Sequence, residues 1–193
     1  MALPILLAST SPQRRAILAQ LGIPFELAQP RYEEHDPPGL SPAEAVVLHA
    51  QGKARSVAAG AGDRPVVGVD TAVVLDGRMY GKPGDEDDAR RMLDLLAGRP
   101  HEVVSGLCLL APGFEELAQD VTRVWFRPLS AAEIETYLAT REWEGRAGAY
   151  AIQGRGAALV ERIEGDYLNV VGLPAALLVR LLAERFPGAY GYG

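Results

Sequence analysis

The residues near the start of the chain whose types and spacing suggest chemistry are a hydroxyl-rich turn and a pair of arginines. The turn at 9–11 follows a short apolar run, and Ser11 and Pro12 are typical of the start of a helix. Arg14 and Arg15 fall in the first helical turn, where a positive charge is unfavourable unless an anion lies nearby. Hydroxyls, helix amides and guanidinium groups together suit a polyphosphate. The same residues also fit an ordinary capped helix with two solvated arginines.

A second group of candidate residues is acidic. Asp70 follows the apolar run 66–69, and a carboxylate at the carboxyl end of a strand lies where α/β sheets present their ligands. Glu33, Glu34 and Asp36 form an acidic loop. One of these together with Asp70 suits Mg²⁺, which takes oxygen ligands from one or two carboxylates and from substrate phosphates. A turn aspartate and a solvated acidic loop are the simpler interpretations.

The remaining candidates are two lysines and a glycine-rich segment. Lys53 and Lys82 are the only lysines among 19 basic residues, which suggests positions where a compact ammonium is required. Lys82 lies in a tight Gly-Lys-Pro-Gly loop that suits a fixed phosphate contact, although the P-loop pattern is absent. In the segment 145–156, small residues surround Tyr150 and Gln153. Small residues allow a planar ligand to approach the backbone, and a glutamine amide can contact a base edge.

Other chemistries find little support in the sequence. The histidines at 35, 49 and 101 lack the spacing of metal ligands, and no nucleophile elbow is present. Cys108 lies in an apolar run and is predicted to pack in the core rather than to react. Attack on phosphorus by a metal-activated water is the chemistry most compatible with the candidate residues.

Composition limits the class of protein. The 193 residues are 48% hydrophobic and 23% charged, which is ordinary for one globular domain, here predicted to span 1–193. The net charge of −6 disfavours a nucleic-acid-binding protein, which needs a basic surface. No segment reaches the length of a membrane span or has the pattern of a secretory signal, so we expect a cytoplasmic protein without a membrane partner.

The hydrophobic pattern alternates between strands and helices, with a hairpin inserted late, and this predicts an α/β fold with a mixed sheet. Capping boxes begin at Ser41 and Ser130. The predicted strands are 3–8, 25–28, 65–75, 101–111, 120–126, 157–163 and 168–171, and the predicted helices are 12–21, 42–58, 86–96, one from 131 and 174–186. Residues 189–193 are predicted to be a frayed tail.

Six sequence blocks resemble the Maf family, in the family's order and over nearly the whole chain. They are L-A-S-T-S-P-Q-R-R (7–15), E-E (33–34), G-V-D-T (68–71), G-K-P (81–83), A-G-A-Y-A-I-Q-G-R-G (147–156) and G-D-Y-L-N-V-V-G-L-P (165–174). The resemblance implies a nucleoside triphosphate pyrophosphatase that uses a divalent metal, Mg²⁺ or Mn²⁺. It implies a mixed, twisted sheet with flanking helices in two lobes around a central cleft, similar to inosine triphosphatases. It also implies a homodimer and a link to septum formation.

The resemblance also implies roles for particular residues. Asp70 corresponds to the proton acceptor of the family and shares the metal with Glu34. Residues at positions that are expected to hold the triphosphate are Ser9, Arg14, Lys53 and Lys82.

Three positions bear on the substrate that the resemblance implies. Thr71 and Gln153 match the subgroup that prefers dTTP and UTP, whereas the subgroup that prefers 7-methyl-GTP tends to carry glutamine and glutamate there. Gln13 matches neither subgroup, because the first has arginine and the second tryptophan at that position. Loss of this cation could broaden substrate choice, and Arg15 lies about 100° further around the helix.

The sequence alone leaves two alternatives to a dTTP/UTP pyrophosphatase. One is a pyrophosphatase with broader or modified-purine specificity, including 7-methyl-GTP, which Gln13 would permit. The other is a nucleotide-binding regulator of cell division whose catalysis is incidental. Binding alone does not require a pair of carboxylates directed at a metal, which favours an enzyme.

Overall fold

The computed structural model of the protein describes residues 2–192. The strands are β1 (Ile5–Ala8), β2 (Phe25–Ala28), β3 (Val66–Leu75), β4 (Arg78–Tyr80), β5 (Pro100–Ala111), β6 (Phe114–Phe126) and β7 (Val160–Glu164). The helices are α1 (Pro12–Gln20), α2 (Pro42–Ala58), α3 (Glu86–Leu96), α4 (Ala131–Leu138), α5 (Tyr167–Val171) and α6 (Ala175–Arg185). Two 3₁₀ segments, Ala147–Ala149 and Gly154–Leu159, lie between α4 and β7.

The seven strands form one mixed sheet. Its order is β2-β1-β3-β5-β6-β7, and β4 pairs with β3 outside that path. β1 runs parallel to both β2 and β3, whereas the other strand pairs are antiparallel. This arrangement, with helices flanking the sheet, confirms the predicted α/β class.

One edge of β3 is covered in two separate pieces. β1 pairs with β3 as far as Gly68, and β4 pairs with it from Val73 onward. Between these pieces, the described strands leave residues 69–72 paired only on the side of β5. Asp70 and Thr71 lie in this gap, and they are the two partly exposed residues of an otherwise buried strand. The gap therefore exposes two polar side chains in the middle of the sheet.

Separate apolar clusters lie on either side of the gap. The first half of β3 packs with α1 and α6, through contacts that include Val69, Leu18 and Leu178. The second half packs with α3, α4 and the first 3₁₀ segment, through residues such as Val73 and Leu93. The long strands β3 and β5 contribute to both clusters. Two lobes thus share one sheet, as predicted, and the cleft opens between them.

Two glycines allow α2 to lie very close to the sheet. A Cβ atom on Gly68 would lie 2.1 Å from the carbonyl oxygen of Ala50, and one on Gly106 would lie 2.3 Å from that of Val46. Side chains at these two positions would force the helix away from β3 and β5. Because α2 carries Lys53, this close packing fixes the position of the lysine relative to β3.

Most predicted elements are confirmed, including both capping boxes. In α2, the Ser41 hydroxyl accepts a hydrogen bond from the Glu44 amide, and the Glu44 carboxylate accepts one from the Ser41 amide. The hairpin of β5 and β6 is also confirmed, although β6 begins earlier than predicted, at Phe114. Strand β4 was not predicted. The strand predicted at 157–163 begins only at Val160, because a 3₁₀ segment occupies the preceding residues.

The strand predicted at 168–171 is wrong, because these residues lie in helix α5. The side chain of Asp166 caps this helix by accepting a hydrogen bond from the Leu168 amide. The Asn169 amide group donates to the Val103 carbonyl oxygen and the Thr122 hydroxyl. A short apolar run cannot by itself distinguish a strand from a buried helix, so capping decides the outcome here.

The predicted fraying of the C-terminal segment is also wrong for 189–192. The hydroxyl of Tyr190 donates a hydrogen bond of 2.9 Å to the Leu3 carbonyl oxygen, and that of Tyr192 donates one of 3.0 Å to Leu21. Gly193 lies outside the described residues. Within 2–192, none of the helices combines the length and hydropathy that crossing a membrane requires.

Candidate active site

A cleft of about 1000 Å³ lies between the two lobes, above the gap in the sheet. All nine of the predicted site residues line it: Ser9, Gln13, Arg14, Glu34, Lys53, Asp70, Thr71, Lys82 and Gln153. These residues come from six separate parts of the chain. The fold therefore brings these nine residues together, whereas Arg15 and Glu33 do not line the cleft.

Lys53 joins the two predicted metal-binding carboxylates. Its Nζ atom lies 2.5 Å from Oδ1 of Asp70 and 2.7 Å from Oε1 of Glu34. The side chains of Lys53 and Asp70 are only 13% and 15% exposed, whereas that of Glu34 is 54% exposed. Two carboxylates that contact one ammonium group must converge on the same point of the cleft. The pairing also commits Lys53 to the acids, rather than leaving it free for phosphate alone.

The charge of Lys53 controls the ionisation of Glu34. Partial burial raises the pKa of Glu34, but the hydrogen bond and the charge of Lys53, together with smaller contributions from His49 and Lys82, lower it by more. The net pKa lies below the ordinary value of 4.5. Glu34 is therefore ionised at neutral pH and is available as an anionic ligand.

Asp70 lies in the middle of its strand rather than at the predicted carboxyl end. It is nevertheless just beyond the end of the parallel neighbour β1, whose last residue Ala8 pairs with Gly68. The carboxyl end of β1 thus takes the place that was expected for β3. The loss of one strand partner at this point exposes the carboxylate.

Arg14 also lines the cleft, where it is held by uncharged oxygen atoms. Its Nε donates to the Gly172 carbonyl oxygen at 2.8 Å, and its terminal nitrogens donate to the hydroxyls of Ser9 and Thr71, each at 3.3 Å. Burial lowers the pKa of Arg14, and the charges of Asp70 and Glu34 partly oppose this effect. Because a guanidinium group stays protonated in proteins, the cleft contains a fixed cation that lacks a direct carboxylate partner among the described residues.

Thr71 lies on the other face of β3 from Asp70, because side chains alternate along a strand. Its hydroxyl contacts the Ser105 hydroxyl at 2.9 Å and the Gly172 carbonyl oxygen at 3.5 Å. The side chain therefore links Arg14 to the neighbouring strand β5. This network makes Thr71 a support for the cation as well as part of the cleft wall.

The second lobe forms the far wall of the cleft. The loop that carries Lys82 is attached by a hydrogen bond of 3.0 Å from the Gly148 amide to the Gly81 carbonyl oxygen. Gln153 is exposed at the rim. The turn after it is held by Glu142, whose carboxylate accepts hydrogen bonds of 3.0 Å from the amides of residues 155 and 156.

Gln13 folds back on the start of its own helix. The hydroxyl of Ser11 donates to the Gln13 side-chain oxygen at 3.0 Å, and Ser11 also caps the helix by accepting from the Arg14 amide. The residue lines the cleft. The position thus offers a neutral donor where the resemblance led us to expect an arginine.

Sequence reasoning missed several residues that line the cleft: Tyr32, His49, Arg146 and Gly172. His49 accepts or donates at both ring nitrogens, with Tyr32 Oη at 3.1 Å from Nδ1 and Asp36 Oδ1 at 2.8 Å from Nε2. The available signal was periodicity: His49 lies one helical turn before Lys53, and residues 32, 34 and 36 alternate along the acidic loop.

The fold and the cleft define an α/β protein with a pair of convergent carboxylates, fixed cations and a glycine-rich rim between two lobes. Residues 4–185 match the family described as Maf-like protein, and the chain belongs to this family.

Relatives of known name support this membership. The chain is 50% identical over 181 residues to the dTTP/UTP pyrophosphatase of Moorella thermoacetica, and the match covers 93% of each chain. It is 47% identical over 184 residues to the dTTP/UTP pyrophosphatase of Gloeobacter violaceus, covering 95% of this chain and 97% of that relative. It is 46% identical over 182 residues to the protein of the same name from Pelotomaculum thermopropionicum, covering 93% and 95%.

Proposed function

We propose that this protein is a nucleoside triphosphate pyrophosphatase that hydrolyses dTTP and UTP to the nucleoside monophosphate and pyrophosphate. The observation that carries the proposal is the convergence of Asp70 and Glu34 on Lys53, in one cleft with the fixed cation of Arg14. Relatives that are 46% to 50% identical over more than nine-tenths of the chain bear the name dTTP/UTP pyrophosphatase.

The proposed chemistry is attack by water on the α-phosphorus. One water proton passes to the Asp70 carboxylate as the new bond from oxygen to phosphorus forms. The bond between the α-phosphorus and the bridging oxygen of the β-phosphate breaks, and its electron pair leaves with pyrophosphate. Lys53 orients the Asp70 carboxylate, because the two groups are within 2.5 Å and are largely shielded from water. A base that is fixed in this way can act as the general base.

Cationic residues bind the phosphates and offset the charge of the leaving group. Arg14 and the hydroxyl of Ser9 already contact each other, so their geometry is established before a ligand arrives. Lys82 approaches from the opposite lobe. Such preorganised charges contribute much of the catalysis in phosphoryl chemistry, because little reorganisation is needed during the reaction.

The donor set fits a divalent cation. Asp70 and Glu34 supply two convergent carboxylates. Among the described residues, no three or more histidine, cysteine, aspartate or glutamate side chains are grouped so that they could hold a metal, so the proposed site has two protein ligands. Mg²⁺ and Mn²⁺ accept this type of site, because water and phosphate oxygens complete their coordination. When bound, the cation would neutralise phosphate charge and acidify water.

The glycine-rich rim provides the base contact in this proposal. Gln153 presents an amide that can hydrogen-bond the polar edge of a pyrimidine, and Glu142 fixes the backbone of the turn that follows. Thr71 and Gln153 support a preference for dTTP and UTP. Gln13 supports a tolerance for related or modified triphosphates, because it replaces a cation with a neutral amide.

Three further predictions accompany this function. The single domain over 1–193 is supported by strands that contribute to both lobes. A homodimer and a location in the cytoplasm stay predictions, and sedimentation equilibrium of the purified protein tests the first of them. No partner other than the nucleotide is needed for the proposed reaction.

The proposed function is tested by measuring pyrophosphate release with dTTP, UTP, CTP, 7-methyl-GTP and ITP, in the presence of Mg²⁺ or Mn²⁺ and after chelation. We expect monophosphate and pyrophosphate as products, the highest kcat/KM with dTTP and UTP, and no turnover after chelation. Release of orthophosphate instead of pyrophosphate would contradict the reaction. A purine preference would contradict the substrate assignment but not the reaction.

A further inference from the structure

We infer that His49 is a positioning residue, which holds the carboxylate of Glu34 in the cleft by clamping the acidic loop through Tyr32 and Asp36. The inference rests on the proposed function, since it requires that Glu34 take part in binding or turnover.

The acidic loop has no regular secondary structure of its own, so other contacts must fix it. Residues 31–40 contain no helix or strand, and Glu34 is the most exposed member of the acid–lysine–acid group. A flexible loop would spread the carboxylate over many positions and would lower its effectiveness as a ligand. Glu34 therefore needs support beyond its own ion pair with Lys53.

One face of α2 provides that support. The loop contacts this helix at Ser56, whose hydroxyl accepts from the Arg31 amide, at Lys53, which binds Glu34, and at His49. These three helical positions are four and three residues apart, so they form a single stripe along the helix. The contacts thus run the length of the loop from residue 31 to residue 36.

The spacing of alternate residues in the acidic loop matches the spacing of side chains one turn apart on α2. Tyr32, Glu34 and Asp36 are alternate residues of the loop, and the side chains of all three contact α2. Two residues of fully extended chain span about 6.6 Å. Side chains one helical turn apart are separated by about 5–6 Å. Consequently His49 reaches the residues on either side of Glu34 while Lys53 reaches Glu34 itself.

The hydrogen bonds of His49 are fully used in this arrangement. The ring is 4% exposed, and an ionised Asp36 only accepts hydrogen bonds, so Nε2 carries the hydrogen. The other ring nitrogen, Nδ1, lies 3.1 Å from the hydroxyl oxygen of Tyr32. A buried side chain with both nitrogen atoms occupied fixes the direction of both partners.

A close contact below Tyr32 adds to the clamp. The aromatic ring lies over Gly52, where a Cβ atom would be only 2.2 Å from Cε2 of the ring. Only glycine leaves room for the tyrosine at this position. Tyr32 therefore contacts α2 at two points, through its ring at Gly52 and through its hydroxyl at His49. It lies two residues before Glu34 in the chain.

The experiment is a double-mutant cycle between His49 and Glu34, read by kcat/KM for dTTP and by amide hydrogen exchange of residues 31–40. We expect His49→Ala to lower kcat/KM by about 10- to 100-fold, as is usual for groups that orient a functional side chain. We expect faster exchange in the loop. In a Glu34→Gln background, His49→Ala should have less than about a twofold further effect, because both changes remove the same contribution.

A matched control comes from the same helix. Gln51 contacts Glu115 on β6, away from the cleft, and Gln51→Ala removes a side-chain hydrogen bond of similar length. This variant should keep kcat/KM and loop exchange at wild-type values. If His49→Ala does not fold, Tyr32→Phe supplies the same cycle, since it deletes a single hydroxyl from the chain of contacts.

Each outcome of the cycle either supports or contradicts the positioning role of His49. Wild-type kcat/KM in His49→Ala, with a loss in Glu34→Gln, would overturn the positioning role and leave the proposed function intact. Multiplicative losses in the double variant would also overturn it, because His49 would then act on something other than Glu34. Wild-type activity in Glu34→Gln would instead remove Glu34 from the proposed site. Non-additive losses together with faster loop exchange support the inference.

Discussion

The ammonium group of Lys53 lies 2.5 Å from a carboxylate oxygen of Asp70, and both side chains are at most 15% exposed. This pair joins α2 to the stretch of β3 that pairs only with β5. A largely desolvated ion pair loses more when one partner is removed than a surface pair does, because the remaining charge is left without compensation. The same lysine reaches Glu34, so one cation determines the arrangement of both acids.

Asp70→Asn should abolish most of the activity while the protein stays folded. Asparagine keeps the shape of the side chain but cannot accept a proton from water at neutral pH. We expect kcat to fall by about 10²- to 10⁴-fold, the usual contribution of a general base. Steady-state pyrophosphate release measures the effect, and circular dichroism checks the fold.

Asp76→Asn is the matched control for this change. Asp76 follows the same strand and pairs with Arg99 on the surface, where an ion pair contributes about 0–1 kcal/mol. Its backbone has a φ of 50°, a conformation that asparagine tolerates. Turnover at the wild-type level in Asp76→Asn and in Asp70→Asn alike would remove Asp70 from the reaction.

Lys53→Met should raise the pKa of Glu34. In the folded protein burial raises this pKa, and the hydrogen bond and charge of Lys53, with smaller contributions from His49 and Lys82, bring it below its ordinary value. Without the lysine, burial and the neighbouring Asp70 carboxylate remain, so protonation of Glu34 begins at a higher pH. Carboxyl ¹³C chemical shifts of labelled glutamate, followed against pH, measure the change.

Lys82→Met serves as the comparison, since it removes the only other lysine of the chain. The charge of Lys82 makes the smallest of the contributions that lower the pKa of Glu34. A smaller upward shift is therefore expected than in Lys53→Met. An equal or larger shift in the Lys82 variant would show that the contact between Lys53 and Glu34 does not dominate in solution.

Gln13→Arg should tighten binding of nucleoside triphosphates. The new guanidinium would lie in the first turn of α1, beside Arg14, facing the cleft. One added charge-assisted hydrogen bond contributes about 1.5–3 kcal/mol, so we expect KM to fall by about tenfold or more. The helix should be destabilised by about 0.3–1 kcal/mol, because a cation opposes the dipole at its start.

The control for Gln13→Arg is Arg15→Gln, which changes an exposed residue two positions later that does not line the cleft. Its KM values for dTTP and UTP should match those of the wild type. If Gln13→Arg also leaves every KM unchanged, the side chain at 13 does not contact the phosphates.

Local signals were sufficient to predict most of the fold. The serines before α2 and α4 begin helices by capping, and the run around Cys108 forms a central strand. Local signals failed for segments whose conformation is determined by tertiary contacts. Residues 168–171 form a helix because Asp166 caps it and Asn169 bonds to two neighbouring strands. The tyrosines of the tail are fixed by carbonyl oxygens more than 160 residues away in the chain, which no local pattern reveals.

The candidate site likewise contains residues that local signals predicted and residues that they did not. All nine predicted site residues line the cleft, because the motifs carry unusual residue types at turns and strand ends. Tyr32 and His49 were missed, since a lone histidine in a helix gives no sign of its partners. The gap in the pairing of β3 was also not predicted, because the short strand β4 was not recognised.

His101 gives a pH-dependent prediction for stability. Burial lowers its pKa from the ordinary 6.5 to about 4, and its Nε2 lies 2.9 Å from the hydroxyl of Tyr150, which lines the cleft. Because the unfolded state takes up the proton first, this histidine contributes stability above pH 6.5 that is lost as the pH falls towards 4. At about 1.4 kcal/mol per pKa unit, the loss is roughly 3 kcal/mol.

His101→Gln tests this linkage directly. The variant should be less stable than the wild type at pH 7 by about 1–3 kcal/mol, since a buried hydrogen bond is disturbed. The difference should shrink as the pH falls from 6.5 to 4, because only the wild type loses the contribution of a neutral buried imidazole. Urea unfolding at pH 7, 6, 5 and 4 measures both free energies. His35→Gln, in the exposed acidic loop, should decline in parallel with the wild type, and a constant difference for His101→Gln would contradict the assignment.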